Sequence, residues 1–178
     1  MKWALEKIFS GAYLSADEAE KVMDQILQED LPAEQVAAFL GALQARQENE
    51  TEVLGFVQSL RKKSEVFSTA GVKALDVCGT GGDASGSFNI STAVALLLAA
   101  SDIPVVKHGN RAVSSRSGSA DVLQALNLPW DLSKPQAEKC FAETGFVFLL
   151  APLYHPVLSK VRTLRQNIGV KTIFNLLG

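Results

Sequence analysis

The sequence changes its hydrophobic period once, near residue 64, and that change limits the folds open to it. Residues 2–63 carry apolar side chains only at helical spacing: Ala19, Val22, Met23, Ile26 and Leu27 make one stripe, Val36, Phe39, Leu40 and Leu43 a second, and Val53, Leu54, Phe56, Val57 and Leu60 a third. Ser15-Ala16-Asp17-Glu18 predicts a capping box, Asn49 with Glu52 three residues on predicts another helix start, and Arg61-Lys62-Lys63 sets cations at a helix C-terminus. Beyond residue 73 short strand-like runs appear instead. Ala74-Leu75-Asp76-Val77-Cys78, Ile103-Pro104-Val105-Val106 and Phe146-Val147-Phe148-Leu149-Leu150 alternate with helical stretches over residues 92–100, 119–126 and 134–144. The first of these helices reads as buried, Gly145 as a helix cap, and Val157, Val161, Leu164 and Ile168 as one face of a last helix stopped by Gly169. Strand, loop, helix, strand is a βαβ unit. The expected fold is therefore α/β with an all-α N-terminal domain: a small helical bundle over residues 1–63, a linker over 64–71, and over 72–178 the first part of a mostly parallel sheet flanked by helices.

Composition narrows the function. In 178 residues, 17 Lys+Arg stand against 19 Asp+Glu, a net charge of −2 that argues against nucleic acid as a general partner, since phosphate binding there needs a basic surface. The longest apolar run, residues 93–100, falls far short of the roughly 20 residues that span a bilayer, so no membrane partner is expected. The N-terminus lacks a secretory apolar core, and a cytoplasmic location is the expectation. Cys78 and Cys140 have no Cys-x-x-Cys or histidine partner at metal-binding spacing, and read as reduced core thiols.

Two loops carry the chemistry. Gly79-Thr80-Gly81-Gly82-Asp83-Ala84 follows the first strand and formally matches the dinucleotide fingerprint, but the next strand runs into Lys107-His108, where that fingerprint wants a ribose-binding acid. No Gly-Lys-Ser/Thr follows either. What remains is a cluster of exposed backbone N–H groups, continued by Ser85-Gly86-Ser87-Phe88-Asn89-Ile90-Ser91-Thr92 into a helix N-terminus, where free donors and a partial positive charge favour an anion. The second strand opens into Lys107-His108-Gly109-Asn110-Arg111-Ala112-Val113-Ser114-Ser115-Arg116-Ser117-Gly118-Ser119, which holds three fixed cations and four hydroxyls without one carboxylate. Adjacent strand ends would bring both loops to one polyanion. His108 and His155 read as structural, and no Ser-His-Asp order recruits them. Tyr154-His155-Pro156 is a candidate pocket lining.

These segments, with Ser117-Gly118-Ser119-Ala120-Asp121-Val122-Leu123 and Gly169-Val170-Lys171-Thr172-Ile173-Phe174-Asn175-Leu176-Leu177-Gly178, closely resemble the anthranilate phosphoribosyltransferase family of tryptophan biosynthesis over the whole chain. The resemblance implies a fold group shared with pyrimidine nucleoside phosphorylases, a helical domain that forms a homodimer, and phosphoribosyl transfer from phosphoribosyl pyrophosphate to anthranilate with Mg²⁺. It implies that Gly79, Gly82, Asp83, Ser87, Asn89, Ile90, Ser91, Thr92, Lys107, His108, Gly109, Asn110, Arg111, Ala112, Val113, Ser114, Ser115 and Ser119 stand where the family holds phosphoribosyl pyrophosphate. Ser91 would also ligate magnesium. Gly79, Asn110 and Arg165 stand where the family contacts anthranilate, and a guanidinium suits its carboxylate.

This chemistry needs no side-chain nucleophile or single catalytic base, because the amine comes from the substrate and pyrophosphate leaves readily; positioning and charge stabilisation suffice. Ser87 replaces the family's usual Thr and keeps the hydroxyl, while Asn127, Arg162-Thr163 and Lys171 are further departures. The chain ends inside a motif the family continues with proline and leucine, ahead of the family's Asp-Glu magnesium pair. An incomplete α/β domain with one metal site missing and an apolar face uncovered is the expectation. Two other readings stay open: a non-catalytic phosphate- or nucleic-acid-binding relative, and a pyrimidine nucleoside phosphorylase-like enzyme.

Overall fold

The computed structural model describes residues 1–79, 88–112 and 117–177. They form two compact units, Met1–Ser64 with His155–Gly178, and Glu65–Tyr154.

The first unit is built on four helices, α1 (Lys2–Phe9), α2 (Ala16–Gln28), α3 (Ala33–Arg46) and α4 (Glu50–Lys62). Both expected capping boxes form. Ser15 Oγ accepts the Glu18 N–H at 3.2 Å while Glu18 accepts the Ser15 N–H at 2.8 Å, and Asn49 and Glu52 exchange the equivalent pair at 2.9 and 3.1 Å. The three apolar stripes then meet in one core of Val22, Met23, Ile26, Phe39, Leu40, Leu43, Phe56 and Leu60. Glu52, which sequence treats as a capping residue, is fully buried: its carboxylate also accepts the Leu14 N–H at 2.9 Å and Arg46 Nη2 at 2.6 Å.

The second unit holds α5 (Ile90–Ala100), β1 (Val105–Gly109), α6 (Ser119–Ala125), α7 (Lys134–Thr144), β2 (Phe146–Leu150) and the short α8 (Ala151–Tyr154). β1 and β2 pair in parallel from Val105↔Phe146 to Gly109↔Leu150. Gly145, at φ +67°, closes α7 in the left-handed conformation that turns the chain straight into β2. The segment expected as a first strand forms a single parallel bridge, Leu75↔Val105, on the other edge of β1. Leu75 lies 48% exposed, so little burial holds residues 74–78 in a longer ladder. Helix α5 also differs from expectation: Thr92 and Ala95 are buried, but Val94 and Leu97 face solvent, because β1 covers one side of an all-round apolar helix. Cys78 is exposed rather than in a core, and Tyr154 packs edge-on to Phe67 in a cluster with Phe141.

After α8 the chain returns to the first unit through a 3₁₀ turn (Pro156–Val161), α9 (Arg162–Ile168) and α10 (Ile173–Leu177). Residues 155–178, grouped by sequence with the α/β piece, pack here because Val161, Ile173 and Phe174 join the helical core, with Leu164 and Ile168 against it. Among the described residues no helix is long and apolar enough to cross a membrane.

Candidate anion site at the strand ends

Parallel pairing fixes where the functional side chains gather. The Leu75 bridge and the β1–β2 ladder point three chain segments the same way, so residues 76–79 and 107–112 emerge at one end of the unit. Alternation along β1 turns Val105 and Lys107 to one face, and Lys107 is buried to 1% exposure. Its Nζ donates to Ser91 Oγ at 3.2 Å, in the first turn of α5. Burial pushes the ammonium below its ordinary pKa, against the pull of Cys78 and Asp76; among the described residues no carboxylate forms an ion pair with it. Its charge therefore has no ion-pair partner among the described residues, although Asp76 acts on it electrostatically.

The surroundings supply donors. Asn89 does not cap α5 with its side chain; its amide donates to Ser117 Oγ at 2.9 Å, and the first turn of α5 holds no acid. Buried Thr92 Oγ1 has no hydrogen-bond partner among the described residues. Gly109 sits so close to Phe148 that an added Cβ would lie 2.7 Å from its ring, and 3.2 Å from Ser119 Cβ, which brings Ser119 beside the strand end. The Ala120 N–H donates to the Asn110 carbonyl at 3.2 Å. Burial lowers the His108 pKa, with Asp76 opposing the effect and Lys107 adding to it. Although Cys78 is exposed, partial desolvation and the Asp76 carboxylate, which also accepts the Cys78 N–H at 2.9 Å, push its thiol pKa up.

The structure thus assembles Asn89, Ile90, Ser91, Thr92, Lys107, His108, Gly109, Asn110, Arg111, Ala112 and Ser119 around one strand end, with Gly79 on the neighbouring segment. Gly82, Asp83, Ser87, Val113, Ser114 and Ser115 lie outside the described residues. Arg165 belongs to the helical unit, where its half-buried guanidinium stands 5.5 Å from the Phe174 ring centre and burial lowers its pKa. Sequence reasoning gave no role to Asp121, Gln124 or Trp130, which hold Arg111. An acid three residues after Gly118, at a helix start, was the signal available.

The described residues do not by themselves form a magnesium site. Among the described residues no three His, Cys, Asp or Glu side chains converge, and the Ser91 hydroxyl already faces the Lys107 ammonium.

Residues 71–178 match the model of the glycosyl transferase family, a/b domain, and residues 2–64 that of the glycosyl transferase family, helical bundle domain. The chain belongs to this glycosyl transferase family. Its relatives are more particular: the anthranilate phosphoribosyltransferase of Syntrophomonas wolfei is 45% identical over 98% of this chain and 51% of its own length, and that of Shouchella clausii 47% over 100% and 52%. Among solved structures, the Thermus thermophilus anthranilate phosphoribosyltransferase matches with a TM-score of 0.89 at 38% identity, over 98% of this chain and 53% of that one. The Saccharomyces cerevisiae enzyme in complex with PRPP and Mg matches at 0.85 and 26%, over 98% and 52%. The chain spans about half the length of the relatives it matches.

Proposed function

We propose that this chain carries the phosphoribosyl pyrophosphate site of an anthranilate phosphoribosyltransferase of tryptophan biosynthesis. The observation that carries the reading is buried Lys107, aimed at Ser91 where the parallel strands end. In the reaction the anthranilate amine attacks the anomeric carbon, the C–O bond to pyrophosphate breaks, and its electron pair leaves on the pyrophosphate as the amine sheds a proton. Lys107 and the N–H groups at the start of α5 stabilise that departing charge. The diphosphate in turn brings a counter-charge to an ammonium that forms no ion pair among the described residues. Magnesium is present with PRPP in the yeast relative; on the family resemblance Ser91 would hold it here together with the diphosphate, where it would help neutralise the leaving group's charge. On the same resemblance Gly79 and Asn110 would contact anthranilate.

A homodimer through the helical unit belongs to the same reading, supported by Phe9 and Leu54, which are 67% and 51% exposed there. So does a cytoplasmic location. Pyrophosphate release from phosphoribosyl pyrophosphate that depends on added anthranilate tests the activity. Turnover of thymidine with phosphate instead would identify a phosphorylase. Ligand binding with neither turnover would fit a half-length piece of the enzyme that is inactive alone, and no binding would remove the phosphoribosyl pyrophosphate reading.

A further inference from the structure

The side chain of Arg111 does not point into the anion site. Its Nη1 donates to Asp121 Oδ1 at 3.1 Å, its Nη2 donates to Gln124 Oε1 at 2.8 Å, and its guanidinium carbon stands 4.1 Å from the Trp130 ring centre. Asp121 does more than pair with it. Its second oxygen, Oδ2, accepts the Ala112 N–H at 2.9 Å and the Gly118 N–H at 2.8 Å, from either side of residues 113–116. The carboxylate is held below its ordinary pKa, first by these two backbone donors. Around them the chain is close-packed: a Cβ at Gly118 would meet Ala112 N at 2.4 Å and the Asn110 carbonyl at 2.7 Å.

From this we infer that Asp121 is a positioning residue. It clamps Ala112 to Gly118 and engages Arg111 as a strut, so that the backbone of residues 109–112 and the Lys107 ammonium, rather than the Arg111 guanidinium, meet the phosphates. The part of this inference that concerns phosphates rests on the proposed function; the clamp does not. One carboxylate that accepts two backbone N–H groups and a guanidinium holds Ala112, Gly118 and Arg111 together, because charge-assisted hydrogen bonds are about twice as strong as neutral ones. The face of Arg111 on Trp130 is covered as well.

Two measurements on the full chain decide it. In the ligand-free protein, Asp121→Asn replaces an acceptor oxygen with an NH₂ group, and amide exchange at Ala112 and Gly118 is expected to accelerate roughly ten- to a hundredfold, the range for losing a hydrogen bond to a charged group. The α2 and α4 amides are expected to keep their rates, which separates a local clamp from general unfolding. Unchanged exchange at Ala112 and Gly118 would overturn the clamp, whether or not any ligand binds. With phosphoribosyl pyrophosphate and Mg²⁺ in a calorimeter, Asp121→Asn and Arg111→Gln are expected to weaken binding by similar factors, and the double variant to add little. Arg111→Lys keeps the ion pair and is expected to restore part of the affinity. Additive losses, or a loss in Arg111→Gln with none in Asp121→Asn, would make Arg111 a direct phosphate ligand and overturn its role as a strut. Absence of binding by the unaltered chain would remove the phosphate reading and leave the exchange result to stand alone.

Discussion

The Lys107 ammonium donates to the Ser91 hydroxyl at 3.2 Å, tying the middle of β1 to the first turn of α5. This contact joins a cation that burial disfavours to a helix start that favours anions. Replacing Lys107 by Met removes the charge and keeps most of the volume. Loss of a desolvated cation from an anion site costs about 2–5 kcal/mol of binding, so affinity for phosphoribosyl pyrophosphate is expected to fall roughly a hundredfold or more. Thermal unfolding of Lys107→Met at pH 7 is expected at the same temperature as the unaltered chain or higher. A variant that binds poorly because it unfolds would contradict this.

Lys107 also sets a pH dependence. Its folded pKa lies below the ordinary 10.5, so between the two values the unfolded chain binds more protons than the folded one. Stability therefore rises with pH through that alkaline window, and the cost of the buried charge is fully present below it. Denaturant unfolding followed upward from pH 7 is expected to show this gain in the unaltered chain, and a smaller one in Lys107→Met.

In the helical unit the buried carboxylate of Glu52 serves Leu14, Asn49 and Arg46 at once. Glu52→Gln leaves Arg46, whose side chain is 12% exposed, without its counter-charge. Breaking a buried pair from one side costs about 3–5 kcal/mol, which a fall in the chemical denaturation midpoint of the helical signal will report.

Two helical glycines should behave oppositely. A Cβ on Gly55 would lie 2.1 Å from the Ala16 carbonyl oxygen and 2.8 Å from Ala19 Cβ, so Gly55→Ala forces α2 and α4 apart and destabilises by about 1–3 kcal/mol. Gly41, on α3, has nothing within 4 Å of that position, and Gly41→Ala is expected to stabilise by about 1 kcal/mol. Thermal unfolding of the two variants side by side checks both signs.

Local signals were legible where a few neighbouring residues decide the structure. The pairs Ser15–Glu18 and Asn49–Glu52, the Gly145 cap, and the extents of α7 and β2 all follow from side chains within four positions of one another. What sequence missed depends on distant partners. Residues 74–78 have strand composition but find β1 through one bridge. Helix α5 is apolar on every side, which does not say which side is covered, and Leu97 stays 68% exposed. Val161, Ile173 and Phe174 look the same whether they pack on a sheet or on helices, and they join the helical core. The site shows the same division. Glycines, hydroxyls and cations at strand ends marked an anion site, whereas for the turn of Arg111 the only signal was Asp121 at a helix start, and its contact with Trp130, nineteen positions away, depends on the fold.

The central claim, that the end of β1 is built to receive a diphosphate through Lys107, is tested most directly by calorimetric titration of the unaltered chain and Lys107→Met with phosphoribosyl pyrophosphate and Mg²⁺. Saturable binding to the unaltered chain, reduced roughly a hundredfold or more in a Lys107→Met variant that unfolds at no lower temperature, is the result expected. No binding to the unaltered chain, or equal affinity in both, would contradict it.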